Sequence, residues 1–550
     1  MDRLSVDVNA YVPKWVRTAL GRSRFSCSEP VAEPGVAAVL LLDIAGSVEL
    51  TNQLARRGPG GAEETSNLLN RCFGSLTDII HDHGGDVIAF AGDGILAMWA
   101  DGLAIDEAAR LAAQCGLALR NEMSEQAESG QHRLRQRISA EVGEIHCCKL
   151  GGFHGQWCFV VVGPPFQRLG EAYRKAQVGD VVLCSELHRT VRDHCEGRLS
   201  DGLFVLDSML NSKMPSTQFI WQDAENLQIE ALVPDVVVDH LRLGEGRWLA
   251  EFRNITIVYV NLVDLCFGDA FVDTLQAAVL GIQRTAHRFD GVVHKTLMDD
   301  KGFSIMLAFG LPARAHEDDP QRGIEAGLAI SRELRAAAVR ASIGIASGKL
   351  FCGDYGGRER REYCLIGPAI NTAARLMELA AGGVVCDATT AEAVQGRISF
   401  SVLPPQHVKG CEALVAAFRP MTVSGAYRGH GGNEIVGRES ERRQLQDALQ
   451  SYHGGTIIVQ GEPGIGKSVL LDDLAEFART HGFRILRGFA TSIEKLTPYF
   501  AWRDVIHELL GGDSPEKATR IAQEKLKHDE TLTSWLPLLR EIVNLSLIHI

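Results

Sequence analysis

Asp43 ends the apolar run VLLLDIAGS, and Asp93 sits in FAGDG, a glycine-flanked break between two apolar runs. A carboxylate at a strand end and another in a nearby hairpin turn can converge on hard divalent cations, which take oxygen ligands. Taken singly, each is equally a strand-end cap or an ordinary turn residue. Farther along stand Lys295 in VVHKTLM, and Asn371 and Arg375 in IGPAINTAARL. An arginine's planar fork of donors matches phosphate geometry, although a helix-surface charge is the plain alternative. A third set is GEPGIGKS, residues 461 to 468, which fits the pattern G-x-x-x-x-G-K-[ST]. Gly461, Gly464 and Gly466 would free backbone amides to cradle phosphates, Lys467 would reach the β- and γ-phosphates, and Ser468 would hold Mg²⁺. All three sets suit nucleotide phosphate chemistry, which asks mainly for positioning and for cations against charge.

The elements that must carry these residues repeat. VLLLDIAGS around Asp43 corresponds to IVYVNLVD, where Asn261 takes the aspartate's place. HGGDVIAFAGDGILAMW corresponds to FDGVVHKTLMDDKGFSIML, with Gly85 opposite Gly291 and Asp93 opposite Asp299. FVVVGPPFQRLGEA corresponds to YCLIGPAINTAARL, with Gly163-Pro164 opposite Gly367-Pro368. Ordered matches of this kind indicate a duplicated domain. Each copy reads as strand, helix, hairpin, second helix and further strands. In the first copy the helix lies near Gly61 to His83, the hairpin is Val87 to Phe90 with Ile95 to Trp99, and Asp106 to Gln126 forms the second helix. That order fits a ferredoxin-like βαββαβ sheet, an α/β (α+β) arrangement with helices on one face.

At 550 residues the chain exceeds one core. The expected division is an N-terminal segment 1–34, first domain 35–222, linker 223–250, second domain 251–425 and P-loop NTPase domain 426–550. The strand TIIVQ and helix VLLDDLAEFART flank the P-loop as that motif requires. No apolar run ending in a Walker B aspartate follows, so this last domain reads as truncated, with a bound nucleotide but doubtful hydrolysis. Tyr11 to Leu20 reads as a short surface helix. The net charge of -13 argues against nucleic-acid binding. Thirteen cysteines without a CxxC pattern suit reduced thiols in a cytoplasmic compartment. No run reaches the roughly 18 apolar residues a spanning helix needs.

The paired segments resemble class III nucleotidyl cyclases, most closely the soluble adenylyl cyclase family with tandem catalytic domains. ITIVYVNL, DKGFSIMLAFG, ASIGIASGKLFCG and IGPAINTAARLM fit that family's pattern over roughly residues 35 to 425, and IVGRESERRQLQDAL resembles the entry to AAA-like signalling ATPases. The resemblance implies that Asp43, the Ile44 backbone and Asp93 hold two Mg²⁺ ions, with Mn²⁺ a possible substitute. It implies that Lys295 recognises adenine, Asn371 orients the ribose, Arg375 stabilises the transferred phosphate, and Arg137 in RQRISAEVG binds the triphosphate. Cys364 occupies the position of a second base-reading residue and has a guanine-type character beside the adenine-type Lys295. The first copy has Ala89, Gln167 and Glu171 where the second has Lys295, Asn371 and Arg375. The expected outcome is one composite site between two domains in a pseudo-two-fold pair, converting ATP to 3′,5′-cyclic AMP and pyrophosphate. A guanylyl cyclase, or a non-catalytic nucleotide-sensing scaffold, is the alternative. Bicarbonate sensing in the family uses a lysine and an arginine; here Ala89 and Gly170 stand at those positions, with Arg168 displaced by two, so weak or absent stimulation is expected.

Overall fold

The structure of the chain, a computed structural model, describes residues 8–22, 28–45, 59–91, 94–100, 102–128, 135–210, 229–242, 250–263, 265, 270–299, 301–312, 314–394, 397–406, 415–423, 437–451, 455–461, 465–488, 502, 505, 506 and 509. It divides into two compact units: residues 1–394 with 400–421, and residues 395–399 with 422–550.

The first unit opens with helix α1 (Lys14–Gly21). The first copy follows: β1 (Val31–Ala45), α2 (Pro59–Asp82), β2 (Asp86–Ala91), β3 (Gly94–Trp99), α3 (Ile105–Glu128), β4 (Arg135–Phe153), β5 (Gln156–Val162), α4 (Pro164–Lys175), β6 (Val181–Leu183), α5 (Ser185–Val191), β7 (Cys195–Ser200) and β8 (Leu203–Met209). Helix α6 (Asp235–Arg242) lies within the stretch read as a linker and buries Val236, Val237 and Val238. The second copy comprises β9 (Glu251–Val263), α7 (Phe271–Arg288), β10 (Val292–Asp299), β11 (Gly302–Phe309), α8 (Asp319–Ala336), β12 (Arg340–Gly356), β13 (Arg361–Ile366), α9 (Pro368–Leu379), β14 (Val384–Asp387), α10 (Ala388–Ala393), β15 (Ile398–Gln406) and β16 (Val415–Val423).

The two sheets run in the same spatial order, β2-β3-β1-β4-β6-β8-β7 and β10-β11-β9-β12-β14-β16-β15, with β5 on β4 and β13 on β12. The β2-β3-β1-β4 portion has the order of a ferredoxin-like sheet, generated by a β1-helix-hairpin-helix-β4 chain path. Strand β1 is buried on both faces. Ala38, Leu40 and Leu42 point into a cluster with Leu69, Phe73, Leu76 and Ile80, which recur at helical spacing along α2. Ala37 and Val39 point the other way, into a cluster shared with Ile255, Ile257, Met306 and Leu365 of the second copy.

The matched glycines have matched causes. A Cβ on Gly85 would stand 2.7 Å from the Trp99 ring, and one on Gly291 would stand 2.5 Å from the Phe309 ring. Gly163 and Gly367 both have φ +156 just before a proline-initiated helix, a backbone that other residues rarely adopt.

Two expectations are corrected. The surface helix is instead buried: Trp15, Val16, Ala19 and Leu20 join the core shared by both copies, because their spacing gives the helix an apolar face. In the second unit, residues 456–460 carry no strand ladder among the described residues, and Ile458 is 83% exposed. A strand needs a partner to bond its backbone, and among the described residues none lies alongside. The described helices there are α11 (Glu439–Gln450) and α12 (Lys467–Thr480), tied together by Arg442, whose guanidinium makes two bonds of 2.8 and 2.7 Å to Asp473.

Candidate active site

Asp43 stands near the end of β1, opposite Gly94 of β3 on one side and Arg137 of β4 on the other. Its half-buried carboxylate accepts a 2.5 Å hydrogen bond from the Tyr173 hydroxyl on α4. The Arg137 guanidinium lies over the same tyrosine ring, 5.3 Å from its centroid, and Arg137 Nε is a buried donor without a hydrogen-bond partner among the described residues. An unpartnered guanidinium donor on the strand paired with a carboxylate suits an anion that arrives together with a cation. Oxygen donors of the Asp43 type fit a hard divalent ion. Ile44 is buried at 1% exposure, and Asp93 lies outside the described residues.

The corresponding place in the second copy is chemically different. Asn261 turns its Nδ2 inward, donating to Lys301 O at 3.0 Å, Ser304 Oγ at 3.1 Å and Phe303 O at 3.4 Å. The amide thus satisfies carbonyls of its own hairpin and presents no carboxylate. That hairpin is also longer. Asn261 pairs with Ser304 and the ladder continues to Asp299 opposite Gly302, whereas Asp43 pairs with Gly94 at the start of β3. Asp299 remains on the strand, its carboxyl pushed up by burial and held back by the Lys301 amide and ammonium. These residues do not fit a two-metal centre.

Lys295 of β10 lies half-buried against the first copy. Its ammonium donates to the Phe90 carbonyl of β2 and pairs with Glu362 of β13. Glu362 Oε2 accepts the Phe90 N–H at 3.2 Å. Burial would raise the Glu362 carboxyl, but Lys295 and Arg360 outweigh it and hold the group below its ordinary range. Cys364, two residues on, is 3% exposed within an apolar cluster that includes Phe73, Phe90 and Tyr355. Burial pushes its thiol well up, so it stays protonated. Asn371 and Arg375 lie one turn apart on α9, exposed and half-buried respectively. Arg168 is already engaged, its Nε 2.7 Å from Glu141, and Glu141 is wholly buried.

Sequence reasoning passed over Tyr173, Arg360 and Glu362. Extending the GPP/GPA alignment by one residue brings Tyr173 opposite Met377, a difference of chemistry beside the Asp43/Asn261 difference. In the second unit, Gly466 has φ +93 and caps α12, and Lys467 donates to Gly461 O at 3.1 Å. Ser468 is in the first turn of α12; Gly464 lies outside the described residues. Among the described residues no helix is long and apolar enough to cross a membrane.

Residues 434–542 match the AAA ATPase domain family. Among curated proteins, adenylate cyclase type 10 of Rattus norvegicus is 26% identical over 87% of this chain and 33% of its own length. The Homo sapiens protein of the same name is 25% identical over 86% of this chain and 32% of its own. The chain therefore spans about a third of the length of the curated relatives it matches. A class III adenylyl cyclase-like ATP-binding protein from Pseudomonas aeruginosa shares 11% identity, with a TM-score of 0.48 over 66% of this chain and 85% of that one. By sequence, the chain is a homologue of the adenylate cyclase type 10 proteins that carries an AAA ATPase segment at its C-terminal side.

Proposed function

We propose that this chain is an adenylyl cyclase with one composite site, built by pseudo-two-fold pairing of the two duplicated domains. The observation that carries the reading is the meeting of Lys295, from the second copy, with the Phe90 carbonyl, in the strand that runs into the Asp93 turn of the first. It supports the reading because a lysine present only in the second copy meets the strand of the first copy that leads to Asp93.

In this reading Asp43, Asp93 and the Ile44 carbonyl hold two Mg²⁺ ions, or Mn²⁺ in their place. Bound there, the ions supply Lewis acidity that lowers the pKa of the ribose 3′-hydroxyl and offsets triphosphate charge. The chain's own groups do the rest. Lys295 donates to the adenine ring, Asn371 orients the ribose, and Arg137 binds the triphosphate. Attack of the 3′-oxygen on the α-phosphorus forms the cyclic ester and breaks the bond to the β-phosphate oxygen, releasing pyrophosphate. Arg375 stabilises the charge that develops on the α-phosphate. ATP is favoured over GTP because Lys295 can only donate and Cys364 is enclosed in apolar surroundings. A nucleotide also binds the P-loop of the second unit through Lys467 and Ser468. The described cysteines are all free, which suits a reducing, cytoplasmic compartment.

The test is incubation of the full chain with ATP or GTP and Mg²⁺, assaying both cyclic products. Cyclic AMP is the expected product, and Asp43→Ala or Arg375→Ala is expected to lower kcat by roughly 10²-fold or more. Cyclic GMP as the main product, or binding without either product, overturns the assignment in favour of a guanylyl cyclase or a scaffold.

A further inference from the structure

Arg360 and Glu362 carry no role in the reading above, yet they occupy the junction between its two halves. Arg360 belongs to the second copy and is 4% exposed. Its Nε donates to Val87 O at 3.0 Å and its Nη2 to Ile88 O at 3.3 Å, both in β2 of the first copy. Its Nη1 donates to Tyr11 O at 3.1 Å and to the Arg361 carbonyl. Its Nη2 also lies 3.6 Å from Glu362 Oε2. Four of the five N–H donors of the guanidinium are therefore committed to carbonyls, two of them in β2 of the first copy. Glu362 continues the path, accepting from the Phe90 amide and from the Lys295 ammonium. Lys295 has three N–H donors, of which Glu362 and the Phe90 carbonyl take two. Among the described residues the third has no acceptor, and Lys295 and Glu362 both line a cleft.

Packing alone does not require this charge. Seven and five residues before Gly163, where Arg360 and Glu362 precede Gly367, the first copy has Gln156 and Cys158. At those positions the contact with the second copy is neutral: Gln283 of α7 donates to Gln156 O at 3.0 Å and lies 3.5 Å from Cys158 Sγ. The two domains thus pack through a neutral junction on one side and an ionic one on the other. The ionic junction is on the side where Lys295 meets the strand leading to Asp93.

We infer that Arg360 and Glu362 are positioning residues that register Lys295 against β2, so that one network sets both purine recognition and the course of the strand that leads to Asp93. The inference rests on the cyclase reading for what Lys295 and Asp93 do. Glu362 orients the ammonium whose third proton reaches the base. Arg360 holds the backbone of β2 at Val87 and Ile88, four and three residues before the strand ends at Ala91.

The experiment uses the full chain carrying Glu362→Gln or Arg360→Lys. Gln retains an acceptor for the Phe90 amide but loses the charge that orients Lys295. We expect it to raise KM for ATP at least tenfold and to narrow the ATP/GTP preference at least tenfold, with kcat within threefold. Lysine at 360 cannot reach both β2 carbonyls. It should lower kcat at least tenfold and raise the Mg²⁺ concentration for half-maximal rate, with KM for ATP within threefold. Folded variants with the parent's KM, nucleotide preference and Mg²⁺ dependence overturn the inference. Should either variant not fold, amide exchange in the unmodified chain decides. A non-cyclisable ATP analogue, without metal, is expected to slow exchange in residues 86–91 severalfold. Protection confined to the second copy overturns the inference. Coupled protection in a chain that forms no cyclic product supports the network and sinks the cyclase reading instead.

Discussion

A 2.5 Å bond from the Tyr173 hydroxyl fixes one oxygen of Asp43, and the Arg137 guanidinium lies over the same ring. A group that holds a prospective metal ligand in place contributes to affinity without touching the ion. Tyr173→Phe is therefore expected to raise the Mg²⁺ requirement for activity by roughly tenfold, leaving KM for ATP at saturating Mg²⁺ unchanged. A Mg²⁺ titration of initial rates checks this, and an unchanged midpoint would leave Tyr173 a packing residue. The carboxylates, the lysine and the helix arginine were singled out as candidates by residue type, by the family resemblance and by comparing the two copies. Tyr173, Arg360 and Glu362 were not, since each matters through a partner far away in the chain: 130 positions for Tyr173 and 272 for the contact between Glu362 and Phe90. No local pattern announces such pairs.

Elements were the most legible scale. Apolar runs with helical or alternating spacing marked α2, α3 and the first hairpin within a few residues of their bounds. The miss at α1 came from judging Tyr11 to Leu20 by itself, when its apolar face is covered by strands far away in sequence. Helix α8 supplies the prediction at this scale. Asp319 at its first turn is 6% exposed, and burial together with the Asp318 and Asp290 charges pushes its carboxyl up to about 7, against the opposing His316 amide and Arg322. A carboxyl raised in the folded chain binds its proton more tightly there than when unfolded. Its contribution is full below the unfolded value near 3.8 and is lost as pH rises through about 7. Asp319→Asn removes that dependence. The variant should gain stability relative to the parent between pH 5 and pH 8, read as the difference in urea midpoints. Comparing variant with parent also cancels His294, which burial and Lys295 depress to about 3 and which opposes folding as pH falls below 6.5. A pH-independent difference would show that Asp319 does not titrate in this window.

Over the whole molecule, duplication was legible from ordered matches, and the equal strand orders of the two sheets show how far the copies still share a path. The sequence could not convey that the copies share one core, because hydrophobic pattern marks which residues are buried but not against what. The two halves around that shared core are unequal, and Asn261 is where the difference is bonded in. Its amide is bonded to two carbonyls and a hydroxyl of its own hairpin. Asn261→Asp, which gives this position the residue type found at 43, sets a carboxylate against those carbonyls, at a cost of about 1–3 kcal/mol for unsatisfied buried groups. The variant is expected to melt earlier than the parent and to bind a non-cyclisable ATP analogue in the first unit with the parent's stoichiometry. Calorimetric titration in a Lys467→Ala background isolates that unit. A second binding event there would mean the hairpin can revert. Without one, placing a carboxylate at 261 costs stability and opens no second site, so the two halves of the molecule are not interchangeable by that single residue.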